Sequence, residues 1–148
     1  MNKISINYKK LSKTAKTPTK GTEQSVGYDL YADLAQTITI APQTAQMIQT
    51  NIAIELPPNY WAGVFARSGL ATKKGGRPSN CVGVIDPDYR GGIGVSLYND
   101  SSKDLIIEPN ERIAQLVILP AIYADFSETT ELNETERKNG GFGSTGKF

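Results

Sequence analysis

Along much of the chain the apolar positions recur with a period of two. Ile4, Ile6 and Tyr8 alternate with polar neighbours, as do Ile38 and Ile40, then Ile52, Ile54 and Leu56. Denser runs follow: YWAGVF at 60–65, VGVI at 82–85, IGVSLY at 93–98, DLII at 104–107 and IAQLVIL at 113–119. An extended chain sends successive side chains to opposite faces, and Val, Ile and aromatic residues suit that pleated surface. Turn residues separate the runs, among them Ala41-Pro42, Pro57-Pro58-Asn59, Asn99-Asp100-Ser101-Ser102 and Pro109-Asn110. Only Ser68–Lys74 suits a short helix, with Ser68 as its N-cap. Short strands at roughly 8–12-residue spacing predict an all-β sandwich or barrel, not a βαβ fold. Asp86-Pro87-Asp88 lies between VGVI and IGVSLY, so those two strands are expected to pair across it as a hairpin.

The 148 residues are enough for one domain with a real core. A net charge of +1 argues against a nucleic-acid binder held by phosphate contacts. No run approaches the ~18 apolar residues of a membrane helix. The start, MNKISINYKK, has no apolar core of a secretory signal. There is no histidine, which removes Ser-His-Asp and Cys-His catalysis, His-ligated zinc and imidazole proton shuttling. The one cysteine, Cys81, cannot form an intrachain disulfide or a multi-Cys metal site, and a reducing cytoplasm is the natural compartment. Acid–base chemistry is left to carboxylates, Lys or Tyr. The charge is uneven: residues 1–20 carry lysines and no acid, and residues 125–136 carry acids and no base. These are two solvated faces, or ends of neighbouring subunits that attract.

Four segments stand out chemically. In Val26-Gly27-Tyr28-Asp29-Leu30-Tyr31-Ala32 a carboxylate faces away from its apolar neighbours on a strand. It is either a surface Asp or part of a site. Ala66-Arg67-Ser68-Gly69-Leu70-Ala71 places a guanidinium and a hydroxyl where a helical turn begins. That combination recognises phosphate, although a capping Ser beside a surface Arg looks the same. Gly83-Val84-Ile85-Asp86-Pro87-Asp88-Tyr89-Arg90-Gly91 is a turn that also concentrates two carboxylates and an aromatic. In a chain without His, Asp86 is the leading candidate for a general base. The tail GGFGSTGKF (140–148) has four glycines and one large aromatic near its middle, Phe142. It is a floppy terminus or a lid ordered by what it covers.

In this order and spacing the chain resembles the homotrimeric dUTP diphosphatases (dUTPases), over almost its whole length. Five ordered motifs carry the resemblance: VGYDLYA (26–32), ARSGLA (66–71), GVIDPDYRG (83–91), ERIAQLV (111–117) and RKNGGFGSTG (137–146). Ala66 stands where the family often has Pro, and Lys138 where it usually has Gly. The resemblance implies a jelly-roll-like domain, residues 1–136, that trimerises with active sites at subunit interfaces. Residues 137–148 then form a flexible arm that closes over the site. The implied reaction is dUTP plus water giving dUMP and pyrophosphate, with Mg²⁺ held mainly by the triphosphate. It limits uracil incorporation into DNA and supplies dUMP for dTMP synthesis.

Residue by residue, the resemblance makes Asp86 the carboxylate that activates water against the α-phosphorus. Arg67, Ser68 and Gly69 match the phosphate-binding motif, Gln115 a side chain near the phosphates, and Asp29 a supporting carboxylate. Asn80, Gly83, Val84, Ile85, Tyr89 and Gly94 match the positions that hold uracil and deoxyribose. In the arm, Phe142 would cover the base, next to Gly143, while Arg137, Ser144 and Thr145 reach the γ-phosphate.

Two rivals share this fold. A dCTP deaminase needs a catalytic Glu on the strand after the Asp-bearing turn, where this chain has Ser96. A non-catalytic nucleotide- or partner-binding module has no need of Asp86 or the arm, and both are intact here. A protein partner in addition to catalysis stays open.

Overall fold

The computed structural model describes residues 3–141. Its strands are β1 (Asn7–Lys10), β2 (Gly27–Tyr31), β3 (Ile38–Ile40), β4 (Ala45–Gln49), β5 (Ile52–Glu55) and β6 (Tyr60–Phe65). The helix α1 (Ser68–Lys74) follows, then β7 (Gly76–Pro78), β8 (Val82–Ile85), β9 (Gly94–Asn99), β10 (Leu105–Ile107) and β11 (Arg112–Pro120). The all-β expectation holds. The spans of β6 and β8 coincide with YWAGVF and VGVI, because alternation and flanking turn residues mark both ends locally.

Four antiparallel sheets share one core. The largest runs β2-β11-β6-β8 and the next β4-β9-β7, with β1-β5 and β10-β3 as two-stranded pairs. Leu30 of β2, Val64 of β6 and Leu116 of β11 meet Ile48 of β4 and Val95 and Leu97 of β9 in a single cluster. Burying one such aliphatic side chain contributes about 1.5–3 kcal/mol. Asn99 is buried among them with its polar atoms satisfied. Its amide donates to the carbonyls of Ile40 and Lys103, and its Oδ1 accepts from the Ser101 N–H and hydroxyl.

Two expectations are corrected, and two strands appear that the sequence did not announce. β8 and β9 do not pair with each other. β8 is the outer strand of its sheet, bonded only to β6, while β9 pairs with β4 along Gly94–Tyr98 and with β7 along Leu97–Asn99. The two strands belong to different sheets, and the loop 86–93 passes from one sheet to the other. Ser68 is not the cap of α1. That position belongs to Arg67, extended at φ −85°, ψ 129°, with no side-chain cap bond. Its carbonyl accepts the first helical N–H, from Ala71 at 2.9 Å. Finally, β4 and β7 had no signal of their own. Four of the five residues of β4 are exposed, and β7 is the three-residue segment GRP.

Candidate active site

The splaying of β8 from β9 opens a cleft of about 260 Å³. Asn80, Gly83, Val84, Ile85, Asp86 and Tyr89 line one wall, and Ile93, Gly94, Val95 and Ser96 the other. The free edge of β8 borders it, and an outer strand presents N–H and C=O groups that its sheet does not use. Upstream, the carbonyl of Asn80 accepts from the N–H of Val82 at 2.7 Å across Cys81, whose φ is +65°. That tight turn brings Asn80 round against Gly83: a Cβ on Gly83 would press the Asn80 amide and Val64, each at 3.2 Å. At the other end Tyr89 donates from its hydroxyl to the carbonyl of Gly92 at 3.1 Å, and its N–H bonds the Asp86 carbonyl. The phenol is thereby fixed across the loop with its ring exposed. Asp86 is exposed and stands where the cleft meets a wider groove bordered by Glu55, Pro57, Arg90 and Tyr123.

A second cluster gathers the other predicted residues. The Oδ1 of Asp29 accepts from Nε of Arg67 at 2.7 Å, and its Oδ2 from Nη1 of Arg112 at 3.1 Å. Arg67 also donates from Nη1 to the carbonyl of Arg112 at 3.2 Å. Gln115 faces Asp29 across β11 and β2, and its Nε2 donates to the carbonyl of Ala66 at 2.9 Å. Both ends of α1 are tied to the same short segment: Arg67 to Arg112, and Lys74 to Glu111 at 3.0 Å. Ser68 and Gly69 are therefore presented by an anchored turn. Both are exposed, and a Cβ on Gly69 would meet nothing within 4 Å. The cluster combines two guanidinium groups, a hydroxyl and the backbone N–H groups of a helical turn, the chemistry that suits an anion. None of Arg67, Ser68, Gly69 or Gln115 lines the cleft of Asp86, so the two clusters are separate within one chain.

The dUTPase family profile matches residues 13–146. The chain belongs to the dUTPase family. It is 46% identical over 145 residues to a deoxyuridine 5'-triphosphate nucleotidohydrolase of Desulfitobacterium hafniense, covering 97% of this chain and 96% of that one. The Rickettsia prowazekii protein of the same description is 46% identical over 147 residues, 99% of each chain. Among solved structures, a mutant dUTPase of Staphylococcus bacteriophage 80alpha with dUpNHpp superposes with a TM-score of 0.85. It is 28% identical, with 96% of this chain and 98% of that chain covered.

Against the dUTPase motifs, the third supplies the cleft, and the first, second and fourth converge at Asp29. Of the fifth, only Arg137–Gly141 are described. There Arg137 is exposed and donates from Nε to the carbonyl of Gly140 at 2.9 Å. Lys138, which replaces the usual Gly, has φ +45°, a backbone angle that glycine adopts without strain. Phe142, Gly143, Ser144 and Thr145 lie outside the described residues. The sequence reading missed Arg112. Its even-numbered position groups it with Ala114 and Leu116 in the alternation of β11, and nothing local says otherwise. Among the described residues no helix is long and apolar enough to cross a membrane.

Proposed function

We propose that this chain hydrolyses dUTP to dUMP and pyrophosphate as a homotrimer, with Asp86 as the general base. The observation that carries the reading is the unpaired edge of β8, bordering a cleft that ends at Asp86. Backbone N–H and C=O groups from Asn80 to Tyr89 form a pairing-like edge for uracil. Cytosine reverses a donor and an acceptor there and leaves buried groups unpaired, which costs about 1–3 kcal/mol each. Thymine brings a 5-methyl between the walls of Gly83 and Val84 and of Ile93 and Val95. The Tyr89 ring lies against the deoxyribose, where a 2′-hydroxyl would be stripped of water without a partner. Asp86 takes a proton from the water that attacks the α-phosphorus.

The separation of the two clusters within one chain supports a shared assembly. Arg67, Ser68, Gly69 and Gln115 of one copy meet the phosphates of a nucleotide whose base sits in another copy's cleft. Ile122, Phe126 and Leu132 are 93%, 99% and 86% exposed, three apolar side chains that a neighbouring subunit would cover. The arm 137–148 closes over the complex, with Phe142 on the base and Arg137, Ser144 and Thr145 on the terminal phosphate. A reducing cytoplasm suits the exposed thiol of Cys81.

Among the described residues no three His, Cys, Asp or Glu side chains gather as a metal cage. Both oxygens of Asp29 are taken by guanidinium groups. That donor set fits a Mg²⁺ carried on the nucleotide's own phosphates, which when bound draws charge from the reacting phosphorus. The chain's part is to orient those phosphates through Arg67 and the first turn of α1.

The test is pyrophosphate release from each dNTP and from UTP with Mg²⁺, together with a light-scattering mass. Release from dUTP alone, from a particle three times 16.0 kDa, is expected. Equal release from dCTP, dTTP or UTP overturns the specificity, and full activity in a monomer overturns the shared site.

A further inference from the structure

The alternation of β11 by itself sends Arg112 to the core. Gln115 stands opposite Asp29, Ala114 and Leu116 are buried, and the next outward place belongs to Ile113. A register shift between Arg112 and Ala114 inverts that order. Ile113 is 0% exposed next to an equally buried Ala114, and Arg112 faces Tyr31 on the same side of the sheet as Asp29. Such a bulge re-aims a side chain, and here it brings Nη1 of Arg112 to 3.1 Å from Asp29 Oδ2.

We propose that Arg112 is a positioning residue for Arg67, setting the charge and aim of the guanidinium that meets the nucleotide's phosphates. This rests on the reading of the chain as a dUTP hydrolase. Arg67 and Asp29 alone make a neutral pair. With Arg112 the cluster is two cations to one anion and stays attractive to polyphosphate. The geometry matters equally. Of the five N–H groups of a guanidinium, Arg67 uses Nε on Asp29 and one of Nη1 on the Arg112 carbonyl. Three remain for phosphate oxygens. Without Arg112's side chain, the freed Oδ2 of Asp29 can take a second N–H of Arg67 in a two-pronged pair. Arg67 would then turn inward, with less charge and fewer donors to offer.

The test uses Arg112→Ala and Arg112→Lys in the full-length protein, with affinities for a non-hydrolysable dUTP analogue, inorganic tripolyphosphate and deoxyuridine. For Arg112→Ala, losses of roughly tenfold for the analogue and for tripolyphosphate are expected. Deoxyuridine affinity should stay at the parent value. Arg112→Lys, which keeps charge but not the planar fork, should recover part of the loss and covers the case of an Ala variant that does not fold. A merely structural role moves melting temperature and lowers all three affinities together, and that pattern overturns the proposal. So does parental analogue affinity in either variant. A parent that does not hydrolyse dUTP, yet binds tripolyphosphate in an Arg112-dependent way, sinks the functional reading and leaves this assignment standing.

Discussion

Gly27 and Gln115 lie so close that a methyl group on the glycine would overlap the glutamine's amide. Gln115 uses that room to reach the Ala66 carbonyl, directly before Arg67. Gly27→Ala should push the amide off this bond, costing about 1 kcal/mol in stability, the usual size of one such hydrogen bond. The KM for dUTP should rise more conspicuously than melting falls. In a Gln115→Ala background the same substitution should do little, because its target is gone. Kinetics and melting of the four combinations check this, and additive effects would count against it.

Asp86→Asn keeps the size of the side chain and removes the base. Binding of a dUTP analogue should persist while kcat falls by ~10²–10⁴. Activity within a few-fold of the parent would assign the proton transfer elsewhere.

Asp33 gives the fold an acid-sensitive tie. Burial pushes its pKa up, but the donors Ser12, Thr14 and Asn51 outweigh that and hold it below the ordinary carboxylate value. Asn51 Nδ2 lies 2.7 Å from its Oδ2. A carboxyl lowered on folding stabilises fully above its unfolded value, about 3.9, and loses that stabilisation as pH falls through the folded one. The parent should therefore melt above Asp33→Asn by a constant margin over the neutral range. That margin should shrink below about pH 4. Thermal unfolding across a pH series reads it directly, and a margin that does not shrink there refutes the assignment.

Residues 137–141 are exposed, so removing the chain after Glu136 should leave melting and assembly nearly unchanged. If the arm clamps the triphosphate and excludes water, kcat/KM for dUTP should drop by about 100-fold. Full activity in the truncated protein would make the tail an ordinary terminus.

The strands YWAGVF and VGVI were legible to the residue, because alternation and turn chemistry act within a few neighbours. The helix Ser68–Lys74 was legible for the same reason, yet its cap was not. Arg67 is held extended by Asp29 and by the carbonyl of Arg112, partners 38 and 45 residues away in the chain. β4 was missed because its one buried residue, Ile48, leaves no alternation to read, and only β9 beside it makes it a strand.

By itself, then, the sequence determined an all-β class, most strand positions and the motif residues of a dUTPase, since each depends on local periodicity or residue identity. Tertiary structure alone decided that β8 turns from β9 and keeps an edge free, that Gly27 makes room for Gln115, and that Arg112 reaches Asp29. Those relations follow from which strands pair with which and from a one-residue shift in register. Both depend on hydrogen bonds between segments far apart in the chain, and side-chain periodicity along one strand does not encode them.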